Sequence, residues 1–201
     1  MESSTELKIL ELLFDDLTKQ HSMLEVSELL KIPYPQAHRN IKSLIKKNLI
    51  ESYVKGRAKL ISLKKDIVAK EYLSAELSRR DKAIKKHPEL RMVFESLSRI
   101  SKLQYICIVF GSYAKGTQKK NSDIDLLFVI PKDYKYGEFE IMANNAFVTE
   151  KVDINIILDE SLHEMWSNPQ KLNIGNELLK GHIVLKGIEF FLDAWRKHNV
   201  G

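Results

Sequence analysis

Two short apolar runs, residues 105–110 and 124–130, bracket the segment Gly111-Ser112-Tyr113-Ala114-Lys115-Gly116 and a pair of aspartates, Asp123 and Asp125. Such runs, bounded by glycine and polar residues, read as buried strands joined through a tight turn. The two-residue period of a strand sets Asp123 and Asp125 on one face, a few ångström apart. Neighbouring carboxylates repel unless a cation sits between them, and a divalent metal ion is the natural occupant. Gly111 lets a ligand approach the backbone closely. Ser112 opens a helical turn whose free N–H groups suit a phosphate. A phosphate cradle beside metal-holding carboxylates points to chemistry on a nucleoside triphosphate.

With 201 residues the chain has room for one medium domain or two small ones. An apolar fraction of 44% with 29% charged residues is that of a globular protein, which argues against disorder. No stretch is long and apolar enough for a membrane span, and the acidic, polar N-terminus is unlike a signal peptide, so no membrane partner is expected. The single cysteine, Cys107, falls inside an apolar run and reads as a core residue; a disulfide framework is excluded and a cytoplasmic location fits. The net charge of +5 is unevenly placed: residues 34–65 hold nine Lys and Arg against one acid, Glu51. That local patch is a candidate nucleic-acid footprint, with a solvated charged surface as the alternative that charge alone leaves open.

Residues 1–65 carry the signals of a winged helix-turn-helix domain. Ser3 and Glu6 have the spacing of a capping box before Leu7, Leu10, Phe14 and Leu17, and Ser22 with Glu25 repeats it before Val26, Leu29 and Leu30. Pro35 suits the first position of a third helix, whose apolar stripe is Ala37, Ile41, Leu44 and Ile45. Gln36, Arg39, Asn40, Ser43 and Lys47 fall opposite that stripe. A hairpin pattern over residues 50–63 turns at Gly56-Arg57. In this arrangement the third helix enters the major groove of double-stranded DNA. Gln36, Arg39, Asn40 and Ser43 are types able to read base edges, and Lys55, Arg57 and Lys59 suit phosphate contacts. A protein-protein or dimerisation role for the same fold is the competing reading.

Residues 66–86 read as a connecting helix with a sparse core face, available for self-association as a homodimer. The His87-Pro88 break opens a second domain at residues 87–201, starting with an amphipathic helix at 90–103. Strands are expected at 104–110, 124–130, 152–158 and 182–186, and helices at 176–180 and 189–198. Strands and helices mixed without regular alternation give an α+β class: a winged helix-turn-helix followed by a small mixed-sheet domain. Asp153 stands alone in an otherwise apolar strand, where a carboxylate is costly without a partner. Placed beside strand 124–130, it would complete three acids able to hold two Mg²⁺ ions about an in-line displacement at phosphorus. The six histidines form no recognisable metal set, and Trp166, Trp195 and His182 read as packing residues.

The run Gly111-Ser112, ten residues, Asp123-Ile124-Asp125, then a strand bearing Asp153, resembles the nucleotidyltransferase superfamily of DNA polymerase beta, and most of all its minimal members. The resemblance spans roughly residues 88–195 and extends to the C-terminal segment 179–187. It implies a nucleoside triphosphate substrate, with ATP expected, two Mg²⁺ ions and release of pyrophosphate. It implies that Asp123 and Asp125 bind both metals, that Asp153 binds the catalytic one, and that Gly111, Ser112 and Lys115 hold phosphate. Lys115 stands where many members have Arg, which keeps the charge and loses the bidentate fork. A Walker loop is excluded because Thr117, not lysine, follows Gly116. Three functions follow as expectations. One is transfer of a nucleoside monophosphate, AMP first, to a hydroxyl of a macromolecular acceptor, a partner protein or RNA. The second is a DNA-binding regulator whose other domain only senses nucleotide. The third is a scaffold.

Overall fold

A computed structural model describes residues 4–56, 58–102, 104–148 and 150–200. The N-terminal unit runs α1 (Ser4–Asp15), β1 (His21–Ser22), α2 (Met23–Leu29), α3 (Tyr34–Lys46), β2 (Ile50–Lys55) and β3 (Ala58–Leu63). Its antiparallel sheet has the order β1-β3-β2, with His21 opposite Ile61 and Lys55 opposite Ala58. Three helices and this sheet make a winged helix-turn-helix. β1, only two residues long, leaves no pattern to read in the sequence.

The capping box at Ser22 forms as expected: Glu25 N–H donates to Ser22 Oγ at 3.1 Å, and Ser22 N–H donates to Glu25 Oε2 at 2.6 Å. Ser3, of the other proposed box, lies outside the described residues. Its partner Glu6 is buried and forms an ion pair with Lys47 at 2.6 Å. α3 begins one residue earlier than expected, with Pro33 as cap and Tyr34 first, so Pro35 takes the second position, where its missing N–H still costs nothing. Ile9, Leu10, Leu13 and Phe14 of α1 meet Ala37, Ile41 and Leu44 of α3 in the core. Each such side chain contributes about 1.5–3 kcal/mol through removal from water.

α4 (Lys70–Lys86) is more than a connector. Tyr72, Ala75 and Glu76 are wholly buried. The Tyr72 ring lies edge-on to Phe14 at 5.3 Å and 6.4 Å from Trp195, so one core runs from the winged helix into the C-terminal helices. The Tyr72 hydroxyl donates to Leu49 O and accepts from Lys64 N–H, which satisfies it in the apolar interior. An expectation built on the aliphatic positions of this helix missed the tyrosine that anchors it.

The second domain follows as α5 (Pro88–Ser96), a 3₁₀ turn (Leu97–Arg99), β4 (Ile106–Val109), α6 (Gly111–Lys115), β5 (Ile124–Ile130), α7 (Tyr136–Ala146) and β6 (Val152–Leu158). α8 (Asp159–Trp166), α9 (Ile174–Leu179), β7 (Ile183–Lys186) and α10 (Ile188–Val200) complete it. The helix expected over 90–103 stops sooner, at Ser96 and the 3₁₀ turn, and Leu103 lies outside the described residues. The sheet has the order β6-β5-β4-β7, with β5 and β6 parallel and the other pairs antiparallel. Alternate residues sort to its two faces. Ile106, Ile108, Leu127, Val129 and Val184 pack with Trp166, Phe191 and Trp195, while Cys107, Leu126, Phe128 and Ile130 pack with Leu90, Val93 and Phe139. Helices therefore cover both faces, and the charged ends of the strands are what remain to build a site. Burial pushes the Cys107 thiol far up, as befits an inert core residue. No described helix is long and apolar enough to cross a membrane.

Candidate active site

The end of β4 is tied to the start of β5: Phe110 N–H donates to the carbonyl of Asp125 at 3.1 Å. That bond presses the turn at Gly111 against the Asp125 side chain. Gly111 has φ +66°, and a Cβ added there would stand 2.0 Å from Asp125 Oδ2. Only glycine meets both demands, left-handed backbone and no side chain. α6 then runs a single turn and closes at Gly116, φ +68°, with Thr117 N–H donating to Ser112 O at 2.9 Å.

β5 and β6 are in register with Asp125 directly opposite Asp153. Partners across a parallel pair project to the same face, so the two carboxylates are neighbours, and Asp123 precedes Asp125 by one strand period. The Asp125 carboxyl is held above the ordinary carboxylate range, first by burial and then by the charges of Asp153 and Asp123; the Ser112 N–H pulls weakly the other way. Among the described residues no ion pair engages any of these three acids. Their mutual repulsion is what a bound cation would relieve.

Among the described residues no three His, Cys, Asp or Glu side chains are gathered into a ready-made metal cage. Magnesium is usually held by one or two carboxylates together with waters and substrate phosphates. Asp125 and Asp153 would fit that role as a facing pair, and Asp123 is exposed just before β5.

Lys115 pairs with a carboxylate outside this set of three acids. Its Nζ is 2.6 Å from Glu177 Oε2 of α9, and Lys180 lies 3.4 Å from the other oxygen of Glu177. Nothing in the sequence marks Glu177, 62 residues from Lys115, as a neighbour of the turn. Lys119 and Lys120 are exposed. Tyr113 is buried with its ring edge-on to His87 at 5.8 Å, a packing role. His182, Trp166 and Trp195 are core residues, as the sequence suggested.

On the winged helix, Arg39, Lys55 and Lys59 are exposed, and Arg57 lies outside the described residues. Gln36, Asn40 and Ser43 are half-buried rather than outward. The Gln36 amide donates to Thr5 Oγ1 at 2.9 Å and the Asn40 amide to Gln36 O at 2.8 Å. Gln36 and Lys47 both meet α1, at Thr5 and Glu6. The solvent face of α3 is instead Arg39, Lys42 and Lys46, at spacings of three and four. That spacing is present in the sequence, where Lys42 and Lys46 belong to the basic patch of residues 34–65.

Residues 90–180, a little under half of the chain, match the family described as "Nucleotidyltransferase domain", and the match contains the turn at Gly111 and all three acids. It supports nucleotidyl transfer in general and places the chemistry in the second domain. Among solved structures, the adhesin competence repressor AdcR of Streptococcus pyogenes is similar at 18% identity, over 48% of this chain and 77% of that one, with a TM-score of 0.32. So loose a superposition carries no argument. No curated protein matches the chain.

Proposed function

We propose that this protein transfers a nucleoside monophosphate, AMP first among them, from a magnesium-bound nucleoside triphosphate to a hydroxyl of a macromolecular acceptor, and binds double-stranded DNA through its winged helix. The observation that carries the reading is the register of Asp125 against Asp153 beside the glycine turn, inside the segment that matches the nucleotidyltransferase domain. The acceptor hydroxyl attacks the α-phosphorus in line, the bond to the bridging oxygen breaks, and pyrophosphate leaves. Magnesium, when bound, would screen the charge of the triphosphate and activate the hydroxyl. Asp125, seated against Gly111, fixes the metal-holding pair relative to the turn. Asp153, the more exposed of the two, is the carboxylate placed to take the hydroxyl proton. Gly111 and Ser112 offer backbone to the phosphates.

The acceptor is expected to be a protein or RNA because the domain has little beyond its sheet and covering helices from which to build a small-molecule pocket. Incubation with Mg²⁺ and each α-labelled nucleoside triphosphate, with and without cell extract, tests the reading beside an Asp123→Ala/Asp125→Ala control. Label on an acceptor, lost in the control, is the expected result. The second reading, a DNA-binding regulator that only senses nucleotide, draws support from the winged helix-turn-helix unit. Metal-dependent nucleotide binding without any transfer would favour it.

A further inference from the structure

Lys115 is the one cation within the turn 111–116, yet its ammonium is spent on a carboxylate of this same chain. The Glu177 carboxyl is held below its ordinary range, first by its hydrogen bond from Lys115. Both side chains are only partly buried, which leaves the pair breakable. Glu177 sits near the end of α9, and the residues after it are gripped by the N-terminal half of the chain. Leu17 N–H donates to Leu179 O at 2.7 Å across the junction. Arg79 of α4 donates to His182 O at 2.9 Å, pairs with Glu76, and reaches Asp15 of α1 at 3.1 Å. His182 itself is buried with its Nε2 3.6 Å from Glu76.

We propose that Glu177 is a positioning residue for the phosphate turn: an internal anion that competes with nucleotide phosphate for Lys115 and is set in place by the clasp between residues 179–182 and the winged-helix unit. The inference rests on the nucleotidyl-transfer reading. A triphosphate that recruits Lys115 must displace one carboxylate, so the ion pair weakens phosphate binding by the free energy needed to open it. Because α9 continues directly into the clasp, displacement of Glu177 loosens the bond from Leu17 to Leu179. By linkage, whatever tightens the clasp from the winged-helix side weakens nucleotide binding by the same factor.

Calorimetric titration of the full chain with magnesium tripolyphosphate and with MgATP tests this in four forms: wild type, Glu177→Gln, Lys115→Ala and the double variant. Glu177→Gln should bind both ligands roughly fivefold more tightly, the scale of one half-exposed ion pair. Lys115→Ala should bind more weakly, and adding Glu177→Gln to it should restore nothing. A merely structural Glu177 would give equal or weaker binding when replaced. Equal affinity in wild type and Glu177→Gln, with Lys115→Ala weakened, overturns the competition and leaves the nucleotide reading standing. No binding to any form overturns both. Hydrogen exchange reads the clasp: the Leu17 amide should exchange faster with tripolyphosphate bound, and an unchanged rate overturns the link to the winged helix.

Discussion

Replacing Gly111 with alanine tests the geometry of the site more sharply than removing an acid, because the structure supplies an internal reference at Gly116. Both glycines have left-handed backbone, φ +66° and +68°, so an alanine at either carries the same conformational cost of about 1–2 kcal/mol. At Gly116 nothing lies within 4 Å of the added Cβ, and the cost ends there. At Gly111 the Cβ falls 2.0 Å from Asp125 Oδ2, and the nearest relief is to swing the carboxylate or lift the turn. Overpacking of this kind adds about 1–3 kcal/mol. Gly111→Ala should therefore lose about 2–5 kcal/mol against about 1–2 for Gly116→Ala. For a chain of this size that is a fall in Tm of roughly 4–20 °C against roughly 2–8 °C. Displacing Asp125 by an ångström should also cut label transfer by roughly a hundredfold, while Gly116→Ala keeps most of it. Thermal melting and the transfer assay, run side by side, check both halves. Equal melting shifts for the two variants would refute the seating of Asp125 against the turn.

Asp125→Asn should abolish transfer while leaving DNA binding and melting temperature near wild type, since it removes a repelled charge and keeps the shape; surviving label transfer would show the metal assignment to be wrong. Glu76 is buried, which alone would raise its pKa, but Arg79 and His182 outweigh burial and hold it below its ordinary 4.5. A depressed carboxyl stabilises the fold above its unfolded pKa, so stability should decline as pH falls below about 4.5 and through the folded value. Glu76→Gln should cost about 3–5 kcal/mol at pH 7 by leaving Arg79 poorly compensated, and should flatten that acid decline; urea denaturation across pH 3–7 measures both. Arg39→Ala with Lys42→Ala should weaken duplex binding and reduce the slope of log affinity against log salt by about two. Binding and slope unchanged in that variant would remove α3 as the DNA-facing helix.

The chemistry-bearing part of the molecule was legible because it is local. Gly111, Asp123 and Asp125 lie within one turn and one strand, where periodicity of two decides which side chains share a face. The strands at 124–130 and 152–158 were readable to the residue from their apolar runs. Elements were lost where the pattern was too short or too mixed: β1 with two residues, α7, and α8 behind a strand end. On α3 the residues at 36, 40, 43 and 47 flank the core stripe, and which flank lies against a neighbouring helix is not written in the helical period. Gln36 lies on that flank and meets Thr5 of α1, whereas Arg39, Lys42 and Lys46 oppose the stripe and stay exposed.

By itself the chain determined a winged helix and a mixed-sheet domain, since these follow from spacing along one strand or helix. Only the tertiary structure decided that Asp153 stands opposite Asp125, because strand order and register are set by packing between segments far apart in sequence. The same holds for Tyr72, which welds the two units into one core, and for Glu177, which meets Lys115 only when α9 folds back beside α6. Charge and burial are properties of neighbours, and a linear pattern names neighbours only within a few residues.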